Sequence, residues 1–331
     1  MKNSIKLVFV SLVGFACGAC NSYDFEQEQC RNEINLLSNS DMVYDRQVSE
    51  LQPGGDTIYL VAGLSGSQLS NKAFNVALKE ADSLFNAYNK SNFDIETHRY
   101  ARFLPEACFS FPDLQLQIPA GQSQVRFPIY LNNLDKLSPD SIYFLNYKID
   151  SLKTDAYNPK KKEVLLRIFK QNEFATTKTN TFYNYTSSYI TTLSQNPGTP
   201  RRPTSSNQVF PLGIDSVRML AGDENFGDYK NALSNINRMS IKVIVGEKTP
   251  ENPLARFVTV KPYRTIDVVQ LTPSEIYNNT YIINVISTPD GRSTYYKEFR
   301  LHYKYRMEPS QPYQEVKAIL RMEYNPRADL L

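Results

Sequence analysis

From Val125 to Leu131 the chain alternates: Val125, Phe127, Ile129 and Leu131 fall on one side, Arg126, Pro128 and Tyr130 on the other. A period of two places one set against a core and the other in water, the arrangement of an extended strand in a sheet. The pattern recurs in Thr57–Val61, Phe74–Leu78 and Tyr143–Ile149. It returns in Ser240–Val245, Phe257–Val260, Tyr281–Ile286, Phe299–Tyr305 and Glu315–Met322. Pro, Gly, Asn and Asp punctuate these segments, as turns require. Pro128 donates no ladder hydrogen bond and so belongs at a sheet edge. One stretch breaks the period: in Glu80–Tyr88 the apolar Ala81, Leu84, Phe85 and Tyr88 recur at helical spacing. The fold class expected is therefore all-β, with one helical interruption.

A length of 331 residues suits two domains better than one. The polar stretch Thr154–Lys162 is a natural boundary, and Val164–Phe169 after it is a strand that completes the first sheet or crosses over. Short strands at regular spacing before the boundary argue for an immunoglobulin-like β-sandwich over residues 46–153. Residues 154–172 are then a linker or crossing strand, and 173–331 a second β-rich domain, a barrel or another sandwich. Ser194–Asn207 carries three Pro and reads as an exposed loop. Pro289-Asp290-Gly291 reads as a hairpin turn, with Gly supplying the positive φ.

Residues 1–19 have the form of an export signal: Lys2 and Lys6, then an apolar run from Ile5 to Phe15 too short to span a bilayer. Gly18-Ala19-Cys20 resembles a bacterial lipobox, which makes Cys20 the expected lipidation site, although Cys17 stands where an aliphatic residue is usual. More than one acyl chain on Cys20 would anchor the protein stably. Residues 20–45 read as an acidic tether, with Asp24, Glu26 and Glu28 near its start. An acidic stretch after the lipidated Cys resembles the surface-export signal of Bacteroidota lipoproteins, so an outer-membrane anchor facing the exterior is expected. Cys30 and Cys108 form a disulfide in an oxidising compartment or remain separate thiols; spacing alone leaves both open.

Several segments between residues 75 and 150 carry a family pattern. They are Leu84-Phe85-Asn86-Ala87-Tyr88-Asn89, Tyr100, Leu104-Pro105-Glu106-Ala107-Cys108-Phe109 and Ile118-Pro119-Ala120-Gly121-Gln122-Ser123. In this order they resemble the N-terminal domain of unknown function of Bacteroidota surface lipoproteins from glycan-utilisation systems. The same domain occurs ahead of endo-N-acetylglucosaminidase-type catalytic domains. Ser216–Gly222 and Phe299–Tyr305 more loosely resemble the partner domain that follows it. The resemblance implies a non-catalytic accessory lipoprotein that works with a TonB-dependent importer and its binding lipoprotein. Its ligand would be an oligosaccharide or glycopeptide. The alternative is a docking subunit of the importer complex with no ligand of its own.

Residue chemistry agrees with a binding role. GxSxG, HExxH, Walker and GxGxxG-helix motifs are missing, His98 and His302 lie far apart in sequence, and no cofactor or metal is implied. A net charge of +3, lost largely with the signal, gives no field for nucleic acid. With 22 Tyr, 18 Phe and no Trp, stacking on sugar rings would fall to Tyr and Phe. Tyr183, Tyr185 and Tyr189, on one face of a strand, and Tyr295-Tyr296 beside the hairpin are the candidates, against the ordinary use of Tyr in sheet packing. On Phe299–Arg306 the residues Arg300, His302, Lys304 and Arg306 share a face. Such a row would recognise a carboxylated or sulfated sugar, or protect an edge. Asp-Ser/Thr-aliphatic triplets at Thr57, Ser83, Ser141, Ser151 and Ser216 resemble the O-glycosylation signal of Bacteroidota secreted proteins.

Overall fold

The computed structural model describes residues 31–49, 55–204, 206–225, 232–287, 289 and 291–326. The signal, Cys20 and Cys30 lie outside the described residues.

The N-terminal domain is a sandwich of two sheets. One contains β1 (Ile34–Leu36), β3 (Asp56–Leu64), β8 (Gln124–Leu131) and β6 (Phe109–Ser110), in the order β1-β3-β8-β6. The other contains β2 (Val43–Ser49), β10 (Glu163–Gln171), β9 (Tyr143–Ile149), β4 (Phe74–Glu80) and β7 (Gln115–Ile118) in that order, with β5 (Arg102–Phe103) beside β9. Alternation builds the core as the sequence implies: Ile58 and Leu60 of β3 and Phe127, Ile129 and Leu131 of β8 pack against Leu145, Tyr147 and Leu166 of the opposing sheet. Pro128 lies where β8 has only β3 as neighbour, because β6 pairs no further than Tyr130 and Leu131.

Two differences from the sequence reading, at the tether and at the helix, have clear causes. The stretch assigned to the tether up to residue 45 contains β1 and the start of β2, because Ile34 and Leu36 supply core and β2 pairs in parallel with β10. Strand β10 takes the first of the two roles the sequence left open for Val164–Phe169 and completes the sandwich, paired on both sides by β2 and β9. The helix, α1, starts later than its apolar spacing suggests and runs Ser83–Phe93, since Glu80 is still in the ladder opposite Tyr147. Its free N–H groups are met from a distance: Glu163 accepts from Leu84 N at 3.2 Å and Asn146 Oδ1 from Phe85 N at 3.3 Å.

On this helix the buried Asn89 accepts from Ala101 N at 2.8 Å and donates to Ala101 O at 3.2 Å, tying α1 to the chain entering β5. Asn89→Ala leaves both backbone groups unsatisfied and is expected to lower stability by about 2 kcal/mol in urea unfolding.

The C-terminal domain is a closed barrel, the first of the two forms expected. Its strands are β11 (Thr181–Leu193), β12 (Ser206–Gly213), β13 (Ser216–Leu220), β14 (Ser240–Lys248), β15 (Ala255–Pro262), β17 (Thr280–Ser287), β18 (Ser293–Arg306) and β19 (Tyr313–Tyr324). Each is antiparallel to the next, and β19 returns to β11. A short strand, β16 (Asp267–Gln270), takes the place beside β18 where β17 has ended. The proline-rich loop is shorter than its sequence suggests: Ser206 and Asn207 belong to β12, and Arg201 bridges back to Ile190. Tyr183, Tyr281, Phe299, Leu301, Tyr303 and Tyr305 fill the interior. Ion pairs such as Arg300–Glu298 and His302–Glu315 lie on the outward side of β18.

The domains are fastened together. Lys170 Nζ, buried, donates to Leu137 O of the sandwich at 3.2 Å and to Leu212 O of the barrel at 2.9 Å. Asn172 Nδ2 donates to Gly213 O and Ser216 O. Arg218 of β13, its side chain 3% exposed, grips both carboxylate oxygens of Asp140, with Arg218 Nη2 2.7 Å from Oδ1. The guanidinium is also 4.2 Å from the Phe210 ring centroid.

Candidate functional site

The barrel wall formed by β17, β18, β19 and β11 gathers most of the polar side chains singled out in the sequence. Parity on β18 follows the expectation: Phe299, Leu301, Tyr303 and Tyr305 point inward, and the alternate residues point out. Register then brings side chains from separate strands together. Tyr296 lies between Asn284 and Glu323, Glu298 between Ile282 and Arg321, and Arg300 between Thr280 and Ile319. Asn184 of β11 continues the Arg321 row.

Glu298 is the centre of this wall. Its side chain is fully buried, although it points outward, because Arg300, Arg321 and Asn284 close over it. Arg300 Nε donates at 2.7 Å, Arg321 Nε at 2.8 Å and Asn284 Nδ2 at 3.3 Å. Burial alone pushes this carboxyl up; the hydrogen bonds from Arg300 and Arg321 overcome it and hold the group below the usual carboxylate range. The Arg321 guanidinium lies 5.0 Å from the Tyr296 ring centroid. The result is a half-exposed aromatic ring beside one oriented guanidinium group, that of Arg321.

The row of cations is not a free positive stripe. Arg300 is paired with Glu298, and Arg306 with Asp267 at 2.7 Å. His302 is nearly buried: Nδ1 is 2.8 Å from Thr272 O and Nε2 2.8 Å from Glu315 Oε1. Lys304 lies 4.6 Å from the Tyr313 ring centroid. The partners of Arg306 and His302, Asp267 and Glu315, come from β16 and β19, which no inspection of residues 299–306 alone reveals.

The three tyrosines of β11 do not share a face. An extra residue enters the strand between Thr186 and Tyr189, with Ser187 at φ 45°. A bulge reverses the alternation beyond it. Tyr183 and Tyr185 turn inward: Tyr183 is completely buried and donates to Phe174 O at 2.9 Å, and the Tyr185 hydroxyl donates to Gly222 O. The Tyr183 ring is closed to a ligand, and the Tyr185 ring is partly buried against the barrel core. Tyr189 turns outward and is 38% exposed, next to Tyr277, whose hydroxyl donates to Ser187 O at 2.6 Å.

Beyond Ile282, β17 has no β15 partner, so Ile283–Ser287 project with the start of β18 and the end of β19 as an arm. Tyr295 lies on the opposite side of this arm from Tyr296, at 6.1 Å from Tyr324. The Lys297 ammonium is 5.0 Å from the same Tyr324 ring.

The hydroxyls expected to carry glycans are placed differently from one another. Thr57 and Ser151 are exposed, Ser141 is half-buried, and Ser83 is exposed but donates to Glu163 Oε1 at 3.0 Å. Ser216, 8% exposed at the domain junction, offers no accessible hydroxyl in the folded protein. Cys108 is a free thiol in the sandwich core, donating to Asn133 O at 3.7 Å. Among the described residues no group of three or more His, Cys, Asp or Glu is placed to hold a metal ion.

Sequence reasoning missed Arg321, Glu298, Asn284 and Asn184. Arg321 has the outward parity of its strand, but its neighbours become known only with the register.

A family model of an N-terminal domain matches residues 31–156, and one of a C-terminal domain matches residues 162–321. Among curated proteins none matches. A multidomain protein including DUF1735 from Bacteroides ovatus is similar in structure, with a TM-score of 0.61 at 16% identity over 88% of this chain and 94% of that one. A protein of unknown function from the same species gives 0.62 at 18% identity over 92% and 94%. An auxiliary nutrient binding protein from Bacteroides thetaiotaomicron gives 0.59 at 16% identity over 86% and 92%. The chain thus joins an N-terminal and a C-terminal family domain in tandem and shares the two-domain fold of these Bacteroides proteins.

Proposed function

We propose that the protein is a non-catalytic binding protein of the cell surface, lipidated at Cys20, that holds an oligosaccharide or glycopeptide for a TonB-dependent importer and its binding lipoprotein. The observation that carries this reading is Tyr296 on the barrel wall, flanked by Arg321, Glu298, Arg300 and Asn284. A half-exposed ring offers a flat apolar face to a pyranose, and the fixed side chains around it offer donors and acceptors to its hydroxyls. The similarity in fold to an auxiliary nutrient binding protein is consistent with such a role. Because the cations of this wall already face carboxylates, a neutral saccharide suits it. Titration calorimetry against a panel of neutral glycans tests the proposal. Tyr296→Ala is expected to weaken binding about tenfold or more, and heat with none of the glycans would end this reading.

Val285 and Ile286, exposed at the projecting end of β17, favour a second reading, in which the arm docks onto the importer. Co-purification with the importer that is lost in Val285→Asp, without glycan binding, is the outcome that selects it.

A further inference from the structure

The outer face of the four-stranded sheet in the sandwich has a composition unlike the barrel wall. In register, Thr57, Tyr59 and Val61 of β3 lie opposite Tyr130, Pro128 and Arg126 of β8. Tyr59 and Tyr130 are therefore diagonal neighbours, close enough for large side chains to meet. They are 41% and 48% exposed, with Pro128 beside them. Strand tyrosines are common, but an exposed pair flanking a proline forms a flat apolar surface two rings wide.

Arg126 closes one end of this surface. It is exposed, and no carboxylate pairs with it among the described residues. An exposed guanidinium with no carboxylate of its own is free to take an anion through charge-assisted hydrogen bonds. Several other arginines do face carboxylates, as Arg167 faces Asp45 at 2.8 Å and Arg300 and Arg321 face Glu298.

We infer that the face formed by Tyr59, Pro128, Tyr130 and Arg126 is a second saccharide site, selective for acidic sugars bearing a uronate or sulfate group. The tyrosines and proline stack against the ring, and Arg126 takes the anion. This site is independent of the barrel wall: the wall is probed by neutral glycans and Tyr296→Ala, this face by acidic glycans, so the two readings fail separately.

Calorimetry on the full chain with a galacturonic acid hexamer and a chondroitin sulfate hexasaccharide tests it. Maltohexaose and a peptide of residues 21–29, which contains Asp24, Glu26 and Glu28, are the comparators. At least one acidic oligosaccharide is expected to bind. Its affinity should fall about tenfold in Arg126→Glu and in Tyr130→Ala, and fall again as salt rises from about 0.05 to 0.15 M. Both residues are exposed, so unchanged melting is expected; Arg126→Gln replaces Arg126→Glu if melting shifts. Absence of binding by both acidic sugars, affinity indifferent to both substitutions, or tighter binding of the peptide than of either sugar would overturn the assignment.

Discussion

Asp140→Ala is expected to lower the unfolding free energy by about 3–5 kcal/mol, the cost of leaving a buried charge without its partner. Arg218 is the group left behind. Its side chain is 3% exposed, enclosed by Phe210 and Tyr263 on the barrel and by Asp140 on the sandwich. Water cannot hydrate it there, so the loss greatly exceeds that of a surface ion pair. Urea unfolding followed by tyrosine fluorescence measures the change. The double variant Asp140→Ala/Arg218→Met removes the stranded charge and is expected to recover most of the loss. A double variant as unstable as the single one would show that the carboxylate matters by itself. The pair also joins the two domains, so limited proteolysis near Thr176–Lys178 should accelerate in the single variant.

Glu298→Ala is expected to cost about 3 kcal/mol and to abolish binding at the wall together. The carboxylate is fully buried and receives hydrogen bonds from Arg300, Arg321 and Asn284. Without it, two like-charged guanidinium groups lie on adjacent strands with nothing between them. Arg321 then swings away from Tyr296, and the ring loses its neighbour. The pH dependence has a definite sign. Because the folded carboxyl is held below its ordinary value, the stability it contributes is complete above the usual carboxylate range. That contribution disappears as acid lowers the pH through the folded value. The wild type is therefore expected to lose stability on acidification more steeply than Glu298→Gln, in thermal melts from pH 6 to about pH 3.

Much of this architecture was legible in the sequence because it depends on parity. Val125–Leu131, Tyr143–Ile149 and Phe299–Tyr305 alternate without interruption, and each has its apolar set in a core. Parity fails where an inserted residue changes it. Nothing in Tyr183-Asn184-Tyr185-Thr186-Ser187-Ser188-Tyr189 announces the bulge, which is made good by Ser188 Oγ accepting from Ile319 N at 2.9 Å, a residue on another strand. The same limit applies to charge. His302 and Arg306 resemble part of a cationic stripe until β19 and β16 bring Glu315 and Asp267 beside them. Pairing between strands is a long-range property, set by packing and turns, and local pattern carries little of it. The tether boundary failed for a related reason. Ile34-Asn35-Leu36 is too short a run to count as a strand, yet it covers one edge of the first sheet.

Closure of the barrel has a kinetic consequence. The strand that begins the domain, β11, is sealed by the strand that ends it, so Asn184 pairs with Arg321 and Leu193 with Tyr313. Every residue between must be in place before that seam gains its hydrogen bonds, and bringing such distant segments together is slow. The sandwich has no comparable wait, since its last strand, β10, is complete at Gln171. During synthesis the first domain can therefore fold while the barrel strands are still emerging, and β11 remains an open edge until β19 arrives. Refolding should be biphasic, with the slow phase belonging to the seam and slowed further by substitutions at Ile319 or Leu320.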